Sequence, residues 1–206
     1  NNRLLFNANT YYTFIEDAIM RVNTNLDFQI NQDEFFTEAK TNKNTGNAEI
    51  YGATASASLR IASNYTLETD YTLIKGRNID NDLPFTHIPP SFGKTAFYAD
   101  FDSWRASFFI MYNGRKAIEE YDIASGTDNE EESPLEWILT EEGNWIEDHQ
   151  GTPSWYTLNL SAMYRLSDSF TAQMAIENIL DQHYKTFASG LSAPGRNFIV
   201  TLRARF

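Results

Sequence analysis

Apolar and polar residues alternate along the last nine residues of the chain, which read FIVTLRARF. Every second position there is apolar or small, namely Phe198, Val200, Leu202, Ala204 and Phe206. The positions between them include the polar residues Thr201, Arg203 and Arg205. A period of two predicts a β-strand, because successive side chains of a strand point to opposite faces of the sheet. One apolar face, one charged face and an aromatic end are typical of a transmembrane barrel strand, which has lipid on one side and water on the other.

Seven earlier segments show the same alternation. Together with the last one they predict strands over about residues 3–15, 48–61, 65–75, 94–101, 104–113, 155–165, 170–178 and 198–206. The phase is blurred in the fourth and fifth of these strands, because the run Phe108, Phe109, Ile110 and Met111 is apolar on both faces.

The phase of the alternation also predicts the orientation of side chains. We expect lipid to contact Phe6, Tyr12, Leu67, Tyr71, Leu158, Leu160, Ala172, Met174, Val200 and Leu202. We expect the barrel lumen to be lined by Asn9, Ser56, Glu68, Asn159, Gln173 and Thr201. The polar faces also carry arginines near the predicted periplasmic mouth, namely Arg60, Arg165, Arg203 and Arg205.

The connections between strands alternate in length. Short turns of turn-forming residues lie at 62–64, 102–103 and 166–169, whereas long connections cover about 16–47, 76–93, 114–154 and 179–197. Every second connection of an antiparallel meander lies at the same end, so all short turns fall on one side. Short periplasmic turns and long extracellular loops are the rule in outer-membrane barrels. The prediction is therefore an all-β fold of antiparallel transmembrane β-barrel strands, with a soluble β-sandwich binding module as an alternative.

Composition narrows the function classes. The longest unbroken apolar run covers residues 108–112, far short of the roughly 18 residues of a membrane helix. A net charge of -12 argues against binding nucleic acid, which requires a basic face. The chain has no cysteine, so it holds no disulfide and no thiolate metal site. An aromatic content of 15% fits the two interfaces of a membrane.

Three segments resemble TonB-dependent outer-membrane receptors, the first of them closely. The first is ENILDQHY at 177–184, followed by the APGRNF segment at 193–198 and the terminal aromatic residue. The second is the proline-rich stretch with NDLP at 81–84 and IPP at 88–90, and the third is GNAEIYG at 46–52. These matches follow the order of the family along nearly the whole chain.

The resemblance implies active import of a metal chelate of the siderophore, haem or cobalamin type across the outer membrane of a Gram-negative bacterium. Family members close about 22 strands around a plug that contacts TonB. Residues 1–206 then form the C-terminal portion of the barrel, about its last third, without the plug domain and earlier strands. We therefore expect the first and last strands not to pair with each other. The alternative is a small free-standing barrel with an adhesive or structural role.

The expected partners follow from the same resemblance. They are outer-membrane lipid, the plug and remaining strands, the TonB system, the barrel-assembly machinery and the metal chelate. No cofactor and no nucleic acid is expected. The assembly machinery would recognise the last strand through alternate apolar residues, namely Phe198, Val200, Leu202 and Phe206.

Candidate ligand-binding residues lie in the long loops. Aromatic and imidazole side chains there could contact a chelate, and they are Tyr121, Trp137, Trp145, His149 and His183. The aromatic residues could equally pack the loop against itself. Residues 117–164 contain no Lys or Arg but many Asp and Glu, which indicates a charge-solubilised loop or capture of a cation. No metal-binding spacing and no catalytic nucleophile is apparent, so neither a metal site nor an enzyme is predicted.

Overall fold

The structure is a computed structural model that describes residues 3–23, 28–31, 34–36, 40–44, 46–85, 87–122, 135–189 and 191–205. Phe206, which is part of the predicted assembly signal, lies outside the described residues. Among the described residues, no helix is long and apolar enough to cross a membrane.

The described residues form strands and one short 3₁₀ helix at Ile118–Glu120. The strands are β1 (Leu4–Ile15), β2 (Ile19–Asn23), β3 (Phe28–Asn31), β4 (Glu34–Phe36), β5 (Lys40–Asn44), β6 (Ala48–Ala62), β7 (Tyr65–Asn78), β8 (Leu83–Pro84), β9 (Phe92–Asp100), β10 (Trp104–Asn113), β11 (Lys116–Ala117), β12 (Leu135–Leu139), β13 (Trp145–His149), β14 (Gly151–Thr152), β15 (Trp155–Arg165), β16 (Phe170–Glu177) and β17 (Asn197–Ala204).

Eight long strands form one antiparallel sheet in the order β1-β6-β7-β9-β10-β15-β16-β17, and the short β8 adds to the end of β7. This order confirms the eight predicted strands, with small differences at their ends. Within the described residues β1 and β17 are the two edges of the sheet and do not pair with each other. The prediction that the first and last strands do not close a ring is thus confirmed.

Short strand pairs occur within the long connections, and sequence reasoning missed them. Two pairs lie between β1 and β6, where β2 pairs with β5 and β3 with β4. Two more lie between β10 and β15, where β11 pairs with β14 and β12 with β13. The long connections therefore contain local β-structure beyond the barrel strands.

The strand register places one apolar residue from each of the eight strands in a single cross-strand row. The row runs through Leu4, Leu59, Leu67, Phe97, Phe108, Leu160, Ile176 and Phe198. Directly opposed residues share a face of the sheet. This apolar face thus extends without interruption from β1 to β17.

All ten side chains predicted to face lipid lie on the apolar face, and all six predicted to face the lumen lie on the opposite, polar face. The predicted strand phases are therefore confirmed. Hydroxyls on the polar face pair across strands, as Ser107 does with Ser161 at 2.8 Å. Thr69 and Thr95 lie on the apolar face and bond each other at 2.9 Å, so their hydroxyls need no water there.

Tight turns join β6 to β7, β9 to β10 and β15 to β16, all at one end of the sheet. Arg60 and Arg165 lie on the polar face beside these turns, as predicted, and Arg105 joins them there in an ion pair with Asp100 at 2.5 Å. The long connections meet at the opposite end, where the candidate functional residues are located.

Candidate ligand-contact region on the long-loop side

Tyr121 is a packing residue that joins several long connections. It is 4% exposed, and its hydroxyl bonds Thr152 Oγ1 at 2.5 Å. Lys116 Nζ lies 4.4 Å from the ring centroids of both Tyr121 and Phe187, and it donates a hydrogen bond to the Ile88 carbonyl at 2.8 Å. These five residues, Ile88, Lys116, Tyr121, Thr152 and Phe187, form what we call the loop clamp. The clamp holds the connections after β7, β10 and β16 together, and Tyr121 is buried among them.

His183 lines a cavity of about 130 Å³ next to the clamp. Its Nε2 lies 3.0 Å from Ser192 Oγ, and the cavity wall also includes Thr152, Trp155, Gln182, Tyr184 and Lys185. The rings of Trp155 and Tyr184 pack with centroids 4.2 Å apart. Thr152 belongs to both the clamp and this wall, so the structure brings Tyr121 and His183 to the same group of loops.

The cavity wall is rich in hydrogen-bond donors. Burial raises the pKa of the Tyr184 phenol above its ordinary value of 10.0, and the Glu177 carboxylate raises it further. The phenol is therefore a neutral O–H donor at physiological pH. Trp155 Nε1 is buried and has no hydrogen-bond acceptor among the described residues. Tyr184 and Lys185 line the cavity, and a phenol and an ammonium donor suit a ligand that presents acceptor oxygens.

Asn178 anchors the loop that carries His183. Its backbone N–H donates to Asn159 Oδ1 at 2.9 Å, and its Oδ1 accepts the N–H of Gln182 at 2.9 Å. Asn178 and Asp181 have φ values of 50° and 57°, a left-handed conformation that Asn and Asp tolerate better than most residues. Asp181 Oδ1 also accepts the N–H of Arg196 at 2.7 Å. This accounts physically for Asn and Asp in the ENILD motif, which shapes the loop.

A larger cavity of about 450 Å³ lies beneath the proline-rich connection after β7. Gly76 lines this cavity and lets the connection pack closely on β7, since a Cβ there would lie 3.0 Å from Ile88 Cδ1. Arg77 and Lys75 line this cavity. Arg77 forms an ion pair with Glu49 at 2.7 Å, and Lys75 forms one with Glu120. Sequence reasoning did not single out these charged residues. The signal for them was the cluster of basic residues at the end of a strand, followed by prolines.

Trp137, Trp145 and His149 lie on one face of the β12–β13 hairpin. Trp137 is 64% exposed and Trp145 is 65% exposed, so neither packs the loop against itself. The Asp148 carboxylate accepts the backbone N–H of His149 at 2.8 Å, which is a local contact within the hairpin. Among the described residues no group of three or more His, Asp or Glu side chains could hold a metal ion.

The acidic loop is described in part. Glu119, Glu136, Glu141, Glu142, Glu147 and Asp148 lie within the described residues, whereas Asp128, Glu130, Glu131 and Glu132 lie outside them. Most of the described carboxylates are exposed to solvent.

Comparisons with a family model and with solved structures both find receptors or transporters. A family model described as "TonB dependent receptor-like, beta-barrel" matches residues 1–179. Comparison with curated protein sequences finds no match.

Solved structures with the same fold include a copper transporter named OprC, with a TM-score of 0.72 and 15% identity, covering 100% of this chain and 29% of that one. The FrpB iron transporter from Neisseria meningitidis gives a TM-score of 0.66 and 13% identity, over 100% and 30% of the two chains. The ferripyoverdine receptor of the outer membrane of Pseudomonas aeruginosa gives a TM-score of 0.62 and 15% identity, covering 98% of this chain and 25% of that one. The chain thus spans less than a third of the length of these structures.

Proposed function

Because this chain belongs to the TonB-dependent receptor-like β-barrel family, we propose that it is part of an outer-membrane receptor that imports a metal chelate of the siderophore, haem or cobalamin type. The uninterrupted apolar row from Leu4 to Phe198 carries the proposal. Large side chains of this row, such as Leu4, Phe108 and Phe198, are exposed rather than buried against a second sheet, as expected of a barrel face that contacts lipid. The neighbours named above are copper, iron and ferripyoverdine transporters or receptors.

Further parts of the receptor would complete this sheet. Unpaired backbone groups at a sheet edge are not tolerated in lipid, because no water is present to bond them. Further strands would therefore pair with β1 and β17, and a plug would fill the lumen and contact the TonB system. In this proposal residues 1–206 are the C-terminal portion of the barrel in the outer membrane of a Gram-negative bacterium.

The side chains predicted to bind ligand would have different roles in binding. His183 would contact the chelate directly, since it lines the donor-rich cavity with Tyr184 and Lys185. Tyr121 would act indirectly by holding the cavity wall through Thr152. The hairpin residues Trp137, Trp145 and His149 would offer an outer contact to an arriving ligand.

Uptake by cells tests the function. A strain that lacks the gene is supplied in separate experiments with each member of a panel, namely siderophores loaded with radioactive iron, labelled haem and labelled cyanocobalamin. Uptake of each compound is compared with its uptake by the complemented strain. We expect loss of uptake for one class of chelate, and the same loss when TonB is removed from the complemented strain. Unchanged uptake of every panel member would rule the import function out.

Two histidine variants then test the site. His183→Ala should weaken binding of the identified chelate to the purified receptor. His87→Ala is the matched control, because His87 is an exposed histidine in another long connection on the same side. Equal effects of the two substitutions would remove His183 from the proposed site.

The alternative of a free-standing eight-stranded barrel with an adhesive role would require β1 to pair with β17. In the described part of the chain these strands are opposite edges of an open sheet. The import proposal is therefore favoured over this alternative.

A further inference from the structure

The β12–β13 hairpin presents an apolar face to solvent. The directly opposed pairs Leu135–His149, Trp137–Glu147 and Leu139–Trp145 share that face. Its four large apolar side chains are exposed to 56% at Leu135, 64% at Trp137, 56% at Leu139 and 65% at Trp145. Two tryptophans and two leucines exposed to this degree offer roughly several hundred Å² of apolar surface. Contiguous patches of that size mark interaction sites.

The shape of this face suits a macromolecule. The two strands form a sheet of their own, separate from the barrel sheet, and the four apolar side chains stand side by side on it. The reverse face holds the opposed pair Ile138–Ile146, which gives the hairpin an apolar contact that does not involve the tryptophans. The hairpin thus presents an exposed face with its own cross-strand contacts. An extended polypeptide can cover more of such a face than a small ligand, which is bound most extensively in a concave site.

The negative charge of the hairpin indicates what kind of partner it would bind. Glu136 and Asp148 oppose each other directly across the hairpin, which is unfavourable for like charges. Glu141 and Glu142 lie at its turn, and Glu147 lies on the apolar face opposite Trp137. No Lys or Arg occurs in residues 117–164, so the hairpin itself carries no cationic side chain of either type. An anionic lipid surface, or the same hairpin of a second copy, would add further negative charge.

A basic polypeptide relieves this repulsion. Lysine and arginine stems cover apolar surface, and their cationic groups are attracted both to indole rings and to carboxylates. We propose that the face of Leu135, Trp137, Leu139 and Trp145 docks a basic polypeptide, whose apolar side chains cover the tryptophans and whose cationic side chains pair with the surrounding carboxylates. The inference goes beyond the imported chelate, and an arriving chelate and the polypeptide would compete for the same two tryptophans.

Model peptides test the docking surface on the full-length receptor in nanodiscs of zwitterionic phospholipid. The probes are three labelled peptides, in which lysine alternates with leucine, glutamate with leucine, or lysine with serine. Fluorescence anisotropy, corrected for empty nanodiscs, should show the lysine–leucine peptide binding at least about tenfold more tightly than either of the others. Its binding should weaken as salt is added.

Variants assign that binding to the hairpin face. W137S/W145S should lose at least about tenfold in affinity, because buried tryptophans commonly dominate such contacts. I138T/I146T is the matched control, since it removes apolar groups from the reverse face and retains β-branched residues there, and it should bind as the parent does. E141Q/E142Q/E147Q should bind more weakly and with less dependence on salt. Heat-modifiable migration shows that the barrel of each variant is folded.

Other outcomes overturn the proposal. Equal binding by the parent and W137S/W145S, or equal binding of the glutamate–leucine peptide, would remove the docking role. Tryptophan-dependent flotation of the receptor with anionic vesicles would identify a membrane as the occupant instead. Tryptophan-dependent self-association in sedimentation experiments would identify a second copy.

Discussion

At the scale of single residues, position on the apolar or polar face determines the expected effect of a charge. Leu160 lies in the middle of β15 on the apolar face, in the row that crosses all eight strands. Leu160→Arg should lower the free energy of unfolding by about 2–4 kcal/mol if the position is near the bilayer midplane. Denaturant unfolding in lipid vesicles measures this cost.

The control for Leu160→Arg must be an exposed residue on the polar face, because replacing a buried residue would also disturb packing. Asn159 is the sequence neighbour of Leu160 on the polar face, but it is 3% exposed and bonds the Asn178 N–H, so replacing it would disturb packing as well. Gln173 is exposed on the polar face of β16. Gln173→Arg should cost little, and an equal loss of stability for both arginine variants would contradict the assignment of the faces.

Tyr184 gives a pH-dependent prediction at the same scale. Burial, and then Glu177, raises its pKa above the ordinary 10.0. Any stability that depends on the neutral phenol is therefore present at neutral pH and is lost as the pH rises through the raised pKa. A difference titration of phenolate absorbance between the parent and Tyr184→Phe should show ionisation above pH 10.0. Glu177→Gln should move this ionisation to lower pH, and a Tyr184 that ionises below its ordinary value would contradict the assigned burial.

At the scale of elements, the loop clamp predicts coupled behaviour of three long connections. Lys116 is 2% exposed and contacts Tyr121, Phe187 and the Ile88 carbonyl. Lys116→Met removes the charge and keeps the apolar stem. We expect faster hydrogen exchange and faster proteolysis in the connections after β7 and β16, because a desolvated cation–π contact contributes about 2 kcal/mol.

Lys75→Met is the matched control for the clamp. Lys75 also pairs with a side chain of the long loop, Glu120, but its side chain is 61% exposed. Exposed ion pairs contribute about 0–1 kcal/mol, so exchange in the same connections should stay near that of the parent. Equal loosening by both variants would mean that the clamp does not couple the loops.

The sequence predicted the barrel strands well and the loop structure poorly, for physical reasons. In a long strand between lipid and water, apolar and polar side chains must alternate over many residues. The alternation in residues 65–75 therefore predicted correctly which side chains lie on each face. The run from Phe108 to Met111 did not, because Phe109 and Met111 are apolar residues on the polar face. Hairpin β12–β13 has only five residues in each strand, and acidic residues interrupt its pattern. The contact of Trp155, the first residue of β15, with Tyr184 joins a strand end to a distant connection, and no local pattern encodes it.

At the scale of the whole molecule, the last strand is proposed to guide assembly. Phe198, Val200 and Leu202 lie on the apolar face of β17, and Phe206 continues their alternation in the sequence. Deleting Phe206 from the full-length protein should lower the amount assembled in the outer membrane far more than the stability of molecules already folded, because a recognition signal acts before the barrel is complete. Heat-modifiable migration in outer-membrane fractions measures assembly. Normal assembly after the deletion would remove the signal role.

The open edges of the sheet give the last prediction. The chain contains no cysteine, so pairs of introduced cysteines can report strand pairing in the intact receptor. Met174 and Val200 are directly opposed across β16 and β17, and the double variant M174C/V200C should form a disulfide on oxidation, since opposed residues have Cα atoms about 4.5–5.5 Å apart.

Phe6 lies on the same apolar face at the other edge of the sheet, in β1. If further strands separate β1 from β17 in the complete barrel, a cysteine at position 6 should not crosslink with one at 198, 200 or 202, because two Cα atoms more than about 7 Å apart cannot be bridged. Mobility on denaturing gels distinguishes crosslinked from open molecules. A crosslink from position 6 to any of these positions, as efficient as that between 174 and 200, would mean that these eight strands close on themselves, and the larger receptor barrel would have to be abandoned.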